Sequence, residues 1–148
     1  MRLVRFFAPA LFGSALLLVG AGGCGQKKVN ECNALIQVIN AGVQSLEKGP
    51  KLEGDPSNGV ADLKAMADAM DKVAKDASKV ELTIPELKKY STDYQAMAKE
   101  VAKTAREMAA AAEAKDVTKI TAAQAAMEKA VKQEDPLVDS INKYCQAP

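Results

Sequence analysis

Apolar residues recur at intervals of three or four through four segments of this chain, and this spacing limits its fold more than any other feature. The segments span residues 29–46, 60–80, 83–114 and 116–145. Such intervals place apolar side chains on one face of a helix. Alanine is abundant across residues 61–130, which favours helix but buries little apolar area per residue. The pattern predicts an all-α fold with a thin core.

Turn and capping residues separate the first three segments. Residues 49–59 are dense in Gly and Pro and predict a loop. Thr83 and Glu86 form a capping-box pair around Pro85, which predicts the start of the third helix. In the first helix the predicted inward stripe comprises Val29, Cys32, Ile36, Ile39, Val43 and Leu46.

The last segment contains one internal break. Asp116 is the predicted N-cap of the fourth helix. Pro136 lacks an amide hydrogen, so this helix is expected to be kinked or split near Pro136, with Asp135 as the cap of a restarted helix. We therefore predict an up-down-up-down four-helix bundle.

The N-terminus reads as an export signal. Arg2 and Arg5 precede an apolar stretch over residues 6–19, followed by small residues up to Cys24. Ala21-Gly22-Gly23-Cys24 resembles the lipobox of bacterial lipoproteins, with Ala21 where that family usually has Leu. The resemblance implies cleavage before Cys24 and acyl chains, such as palmitate, on this residue as a membrane anchor. The alternatives are an ordinary signal peptide that leaves Cys24 as a thiol, or an uncleaved membrane span.

These boundaries divide the chain into a signal peptide at residues 1–23, a lipid-anchored tether at 24–28 and a single domain at 29–148. Gly25 follows the predicted lipid site, and by the same resemblance it favours the outer over the inner membrane. The expected location is the cell envelope, facing the periplasm or the cell exterior. Lys27 and Lys28 would lie close to the lipid head groups, which attract basic side chains.

Two cysteines are left once Cys24 is assigned to lipid. Cys32 lies near the start of the first helix and Cys145 near the end of the last, and a four-helix up-and-down bundle brings these ends to one pole. Exported proteins meet an oxidising compartment, so we predict a Cys32–Cys145 disulfide. Free thiols, or a metal or redox pair, are the alternatives.

The composition argues against most catalytic chemistry. The chain has no histidine, which removes Ser-His-Asp, Cys-His and His-based metal sites. Of the 20 basic residues, Arg2 and Arg5 lie in the leader, which leaves 18 against 19 acidic residues and no field that attracts nucleic acid. Met66 and Met70, one helical turn apart, are weak candidates for Cu(I), although methionine more often fills a core.

The sequence thus predicts a non-catalytic, membrane-anchored interaction or envelope-structural module without a cofactor. Its partners would be the membrane, through Cys24, and an envelope protein. The alternative is a binder of a small ligand or metal in the bundle interior, with Tyr90, Tyr94 and Tyr144 as polar groups. The acidic pairs Asp68/Asp71 and Glu134/Asp135 are expected to be surface charges. The pole farthest from the lipid is the predicted docking region.

Overall fold

A computed structural model describes residues 23–47 and 59–147, with side chains for 25–44 and 59–147. Residues 1–22 of the predicted signal peptide, which spans 1–23, and the turn-rich residues 48–58 lie outside this part of the chain. The described residues form five α-helices and no strand. These are α1 (Gly23–Glu47), α2 (Gly59–Ser78), α3 (Pro85–Glu113), α4 (Val117–Val131) and α5 (Glu134–Gln146). The all-α bundle is confirmed, and α4 and α5 are the two parts of the predicted split fourth helix.

α3 is the central element of the bundle. It packs most extensively against α2, then against α4, and makes smaller contacts with α5 and α1. The α2–α3 interface is rich in alanine, so the two backbones approach closely. Three ion pairs between these helices, described below, join the start of α2 to the end of α3, as expected for antiparallel neighbours. The up-and-down order of the whole bundle stays a prediction.

Two helix starts follow from local sequence, but one capping prediction is wrong. Asp116 caps α4 as predicted, accepting a hydrogen bond from the Lys119 amide at 3.0 Å. α3 starts at Pro85, but no side chain within the Thr83–Glu86 box caps it. The Thr83 hydroxyl instead donates to Glu31 of α1. The carboxylate of Glu31, distant in sequence, therefore takes the role that the capping box predicts for Glu86.

The break between α4 and α5 lies slightly before the predicted position. α4 ends at Val131, and α5 starts at Glu134, so Asp135 is not its cap. Pro136 is the third residue of α5, where its missing amide hydrogen costs no intrahelical bond. Glu134 and Asp135 then occupy the first turn, where negative charge interacts favourably with the helix dipole.

The first helix is longer than predicted and is rotated about its axis. α1 begins at Gly23 instead of Val29, because Gln26, Lys27 and Lys28 are good helix formers and no breaker follows them. Over residues 25–44, where its side chains are described, the large apolar residues that are buried are Cys32, Leu35 and Ile39; Leu46 lies outside this range. Val29, predicted to be inward, is 48% exposed.

The rotation has a packing cause. Gly42 is buried, and a Cβ atom built on it would lie 2.8 Å from Cγ2 of Val73 in α2. This glycine lets α1 and α2 approach more closely than any larger side chain would allow. The face around Leu35 and Gly42 therefore turns inward in place of the face that carries Val29.

Candidate functional site

The N-terminal part of α1 is joined to the start of α3 and to the end of α5 by three kinds of contact. We call this group the basal clamp; it comprises Lys28, Glu31, Cys32, Thr83, Tyr144 and Cys145. The Sγ atoms of Cys32 and Cys145 lie 2.13 Å apart, at disulfide distance, and their Cα atoms are 5.7 Å apart. The pairing joins residues 113 positions apart in sequence. It links α1 to the end of α5.

Glu31 attaches the same turn of α1 to the start of α3. Its side chain is mostly buried and accepts hydrogen bonds from the Thr83 amide at 2.8 Å, the Ile84 amide at 3.0 Å and the Thr83 hydroxyl. The Thr83 hydroxyl and the Ile84 amide are the main reasons why the Glu31 pKa lies below its ordinary value. An ionised Glu31 thus satisfies the amide donors of Thr83 and Ile84, the two residues that directly precede α3.

Lys28 completes the clamp at the C-terminal end of the chain. Its Nζ atom donates to the Ala147 carbonyl oxygen at 2.6 Å and lies 4.7 Å from the centre of the Tyr144 ring. The Tyr144 and Tyr90 rings meet edge to face, with centroids 5.8 Å apart. Burial, and then the charge of Glu86, raises the pKa of Tyr144. Tyr144 therefore packs against both Lys28 of the clamp and Tyr90 of α3.

The third tyrosine belongs to the core. Tyr94 is 2% exposed, and burial, followed by the charge of Glu134, raises its pKa to about 12. Burial also raises the pKa of Glu134. Tyr94 is thus a buried core residue, whereas Tyr90 and Tyr144 are only partly buried.

The predicted metal candidates lie in the apolar core. Met70 is 4% exposed, and Met66 packs against the same cluster while remaining partly exposed. These positions suit thioethers that fill space between alanines. Within the described residues, no group of three or more His, Cys, Asp or Glu side chains is arranged to hold a metal ion.

The paired carboxylates of α2 bind an arginine. Arg106 of α3 lies 2.8 Å from Asp68 and 2.7 Å from Asp71. These pairs raise the pKa of Arg106 and fix the two carboxylates in a surface ion-pair network. Lys64 and Glu113, 2.6 Å apart, add a further α2–α3 pair.

A groove of about 430 Å³ lies between α3 and α4, next to the Ala114–Asp116 turn. Among the described residues, six alanines line it together with Glu107 and Lys119. Lys115 of that turn has a φ of 53°, a left-handed conformation that ends α3 without a glycine. The groove is thus an apolar surface with one acidic and one basic group.

Two features of α1 escaped sequence reasoning. The first is Glu31, since nothing local marks it as a cap for residues more than fifty positions away. The second is the carboxamide face, the row of exposed side chains Gln26, Asn30, Asn33, Gln37, Asn40 and Gln44. The sequence does indicate the carboxamide face, because these amides recur at intervals of four and three residues and residues 32–46 contain no charged side chain.

No helix in the described part of the chain is both long enough and apolar enough to cross a membrane. The chain matches no protein-family model, no curated protein and no solved structure.

Proposed function

We propose that this chain is an exported, non-catalytic lipoprotein, held on an envelope membrane through acyl chains on Cys24 and acting as a structural or interaction module. One observation carries the proposal. α1 includes Cys24 and runs unbroken to Glu47, and the basal clamp fastens it to the bundle by Cys32. An anchor at Cys24 would therefore be joined to a fixed body.

The mechanical consequence follows from the position of the clamp. Lys28, Glu31 and Cys32 lie one to two turns beyond Cys24, and they engage the start of α3 and the end of α5. A force on the lipid would be transmitted to these helices through α1, without first extending a flexible linker. The bundle would then keep a defined orientation above the membrane, which suits a module that presents one face to a partner.

The membrane anchor is tested by replacing its sulfur. Cys24→Ala should abolish labelling with a fatty-acid analogue and move the chain out of the membrane fraction. Cys32→Ser with Cys145→Ser is the matched control, since it removes two other sulfurs and should leave the labelling unchanged. Labelling that persists in Cys24→Ala would overturn the proposal.

A second candidate, binding of a small apolar ligand, is favoured by the groove between α3 and α4. Its volume lies within the usual range for ligand pockets, and its apolar walls carry two charged groups for orientation. Ala122→Phe should fill the groove. If the groove binds ligands, single-chain amphiphiles should raise the melting temperature of the native chain and not that of the variant. An equal response in both would exclude this site.

A further inference from the structure

The carboxamide face of α1 has the geometry of a seam between helices. Its six residues are all exposed. At 3.6 residues per turn they fall within an arc of about 80° around the helix axis. The Gln26 Nε2 atom donates to the Asn30 Oδ1 atom at 3.1 Å, as expected for neighbours on one face. The buried residues Leu35 and Ile39 lie on the opposite side, so this row faces away from the core.

The chemistry of this surface differs from that of the other helices. The other helices of the bundle expose lysines and carboxylates in alternation, whereas residues 32–46 contain no Asp, Glu, Lys or Arg. Apolar side chains flank the amides: Val29 is 48% exposed, and Ile36 and Ala41 border a groove of about 430 Å³ along the face. Asn33, Gln37, Asn40 and Gln44 line the same groove. A neutral, partly apolar face of this kind suits contact with another neutral helix.

The chemistry of the amides favours an identical partner. Each carboxamide is both a donor and an acceptor, so a row of them complements its own copy, and no like charges oppose such a contact. The intervals of four and three residues keep all six amides on one stripe along α1, so a second helix lying along this stripe would meet every one of them. We propose that the carboxamide face is where a second copy of this chain docks, with α1 against α1.

The orientation of the pair rests on the proposed function. Two copies anchored at Cys24 would project α1 from one membrane surface, which makes the helices parallel and places each carboxamide beside its own counterpart. Hydrogen bonds between neutral groups contribute modestly in water. Confinement of both copies to one membrane raises their effective concentration and compensates for this weakness.

Cysteine crosslinking of the full chain in its membrane tests the pairing. Gln37→Cys should give a disulfide-linked dimer of twice the chain mass on non-reducing electrophoresis after mild oxidation. Gln124→Cys, an exposed carboxamide position on α4, is the matched control and should give only background. The unsubstituted chain measures any background from Cys24. Equal yields at positions 37 and 124 would overturn the proposal, as would a Gln37→Cys adduct with a different protein in place of the dimer.

Charge substitution tests the same contact without a new thiol. Gln37→Glu with Asn40→Glu places like charges opposite each other. It should lower the yield of dimer captured by a chemical crosslinker about tenfold or more. Gln124→Glu should have no effect. Co-expression of Gln37→Glu with Gln37→Lys chains should restore a mixed dimer. Circular dichroism verifies that each variant keeps its helices, and failure of both the loss and the rescue would contradict the pairing.

The outcomes separate this inference from the anchor. A chain that labels with lipid but shows no excess crosslinking at position 37 overturns the pairing alone. A chain that crosslinks at position 37 without labelling supports the pairing and overturns the anchor.

Discussion

The exposed surface of α1 and that of the α2–α3 pair differ in chemistry and in how each helix is held. α2 and α3 share a broad alanine-rich interface bordered by the ion pairs of Arg106 and Lys64. α1 has a smaller interface with the bundle and relies on the basal clamp and on the close approach at Gly42. Its outer face carries amides where α2 and α3 carry charges. The comparison indicates that α2–α3 forms the stable body and that α1 is an attached element with a surface suited to contact.

Loss of the disulfide should have the largest effect on this comparison. Cys32→Ser with Cys145→Ser removes a link that closes a loop of over a hundred residues, worth about 3–5 kcal/mol of unfolding free energy. Guanidinium denaturation measures the loss, and hydrogen exchange should show α1 losing protection before α2 and α3. Cys24→Ser is the control and should leave the unfolding free energy unchanged. Uniform loss of protection across all helices would contradict the division into body and attached element.

Crowding at the α1–α2 contact should have the next largest effect. Gly42→Val forces side-chain atoms against Val73 and should cost about 1–3 kcal/mol of unfolding free energy. Gly59→Val meets nothing within 4 Å and should change it by about 0.5 kcal/mol or less. In the Gly42→Val background, Val73→Ala should cost less than it does alone, because it relieves the contact. Strictly additive losses would show that the two residues do not meet.

Acid should loosen α1 through Glu31. Its pKa lies below the ordinary value of 4.5, so its stabilising contribution is complete above pH 4.5 and is lost as pH falls through the lowered pKa. Melting temperatures of the native chain should therefore drop more steeply below pH 4.5 than those of Glu31→Gln, which should be less stable at neutral pH. Parallel pH profiles for the two proteins would contradict the role of Glu31 as the cap of α3.

The smallest effect is expected at the charged surface. Arg106→Gln removes two exposed ion pairs between α2 and α3 and should lower the melting temperature slightly in low salt, with the difference vanishing near 1 M NaCl. Lys103→Gln is the matched control, since the partners of Lys103 among the described residues are Glu100 and Glu107 of its own helix, at 3.7 and 3.9 Å. A larger loss from Arg106→Gln than from the Gly42 change would reverse the ranking of the two regions.

The sequence predicts the parts of the architecture that depend on interactions between neighbouring residues. Pro85 and Asp116 mark the starts of α3 and α4 through backbone chemistry confined to a few neighbouring residues. Leu63, Met70 and Val73 were predicted inward and are buried, because α2 has one clear apolar stripe. Val29 was assigned to the core wrongly, since α1 has apolar residues on more than half of its circumference and periodicity alone did not choose between two overlapping stripes.

The sequence by itself determined the helices and, to within a few residues, the breaks between them, because periodicity and capping act over short distances. The pairing of Cys32 with Cys145 was predicted from the assignment of Cys24 to lipid and from the helix count, and the structure places these two cysteines at disulfide distance. The tertiary structure decided the rotation of α1, through the contact of Gly42 with Val73, and the use of Glu31 as the cap of α3. Both depend on pairs of residues far apart in the chain. Their partners were set only when the helices packed, and this packing also turned the carboxamide face outward.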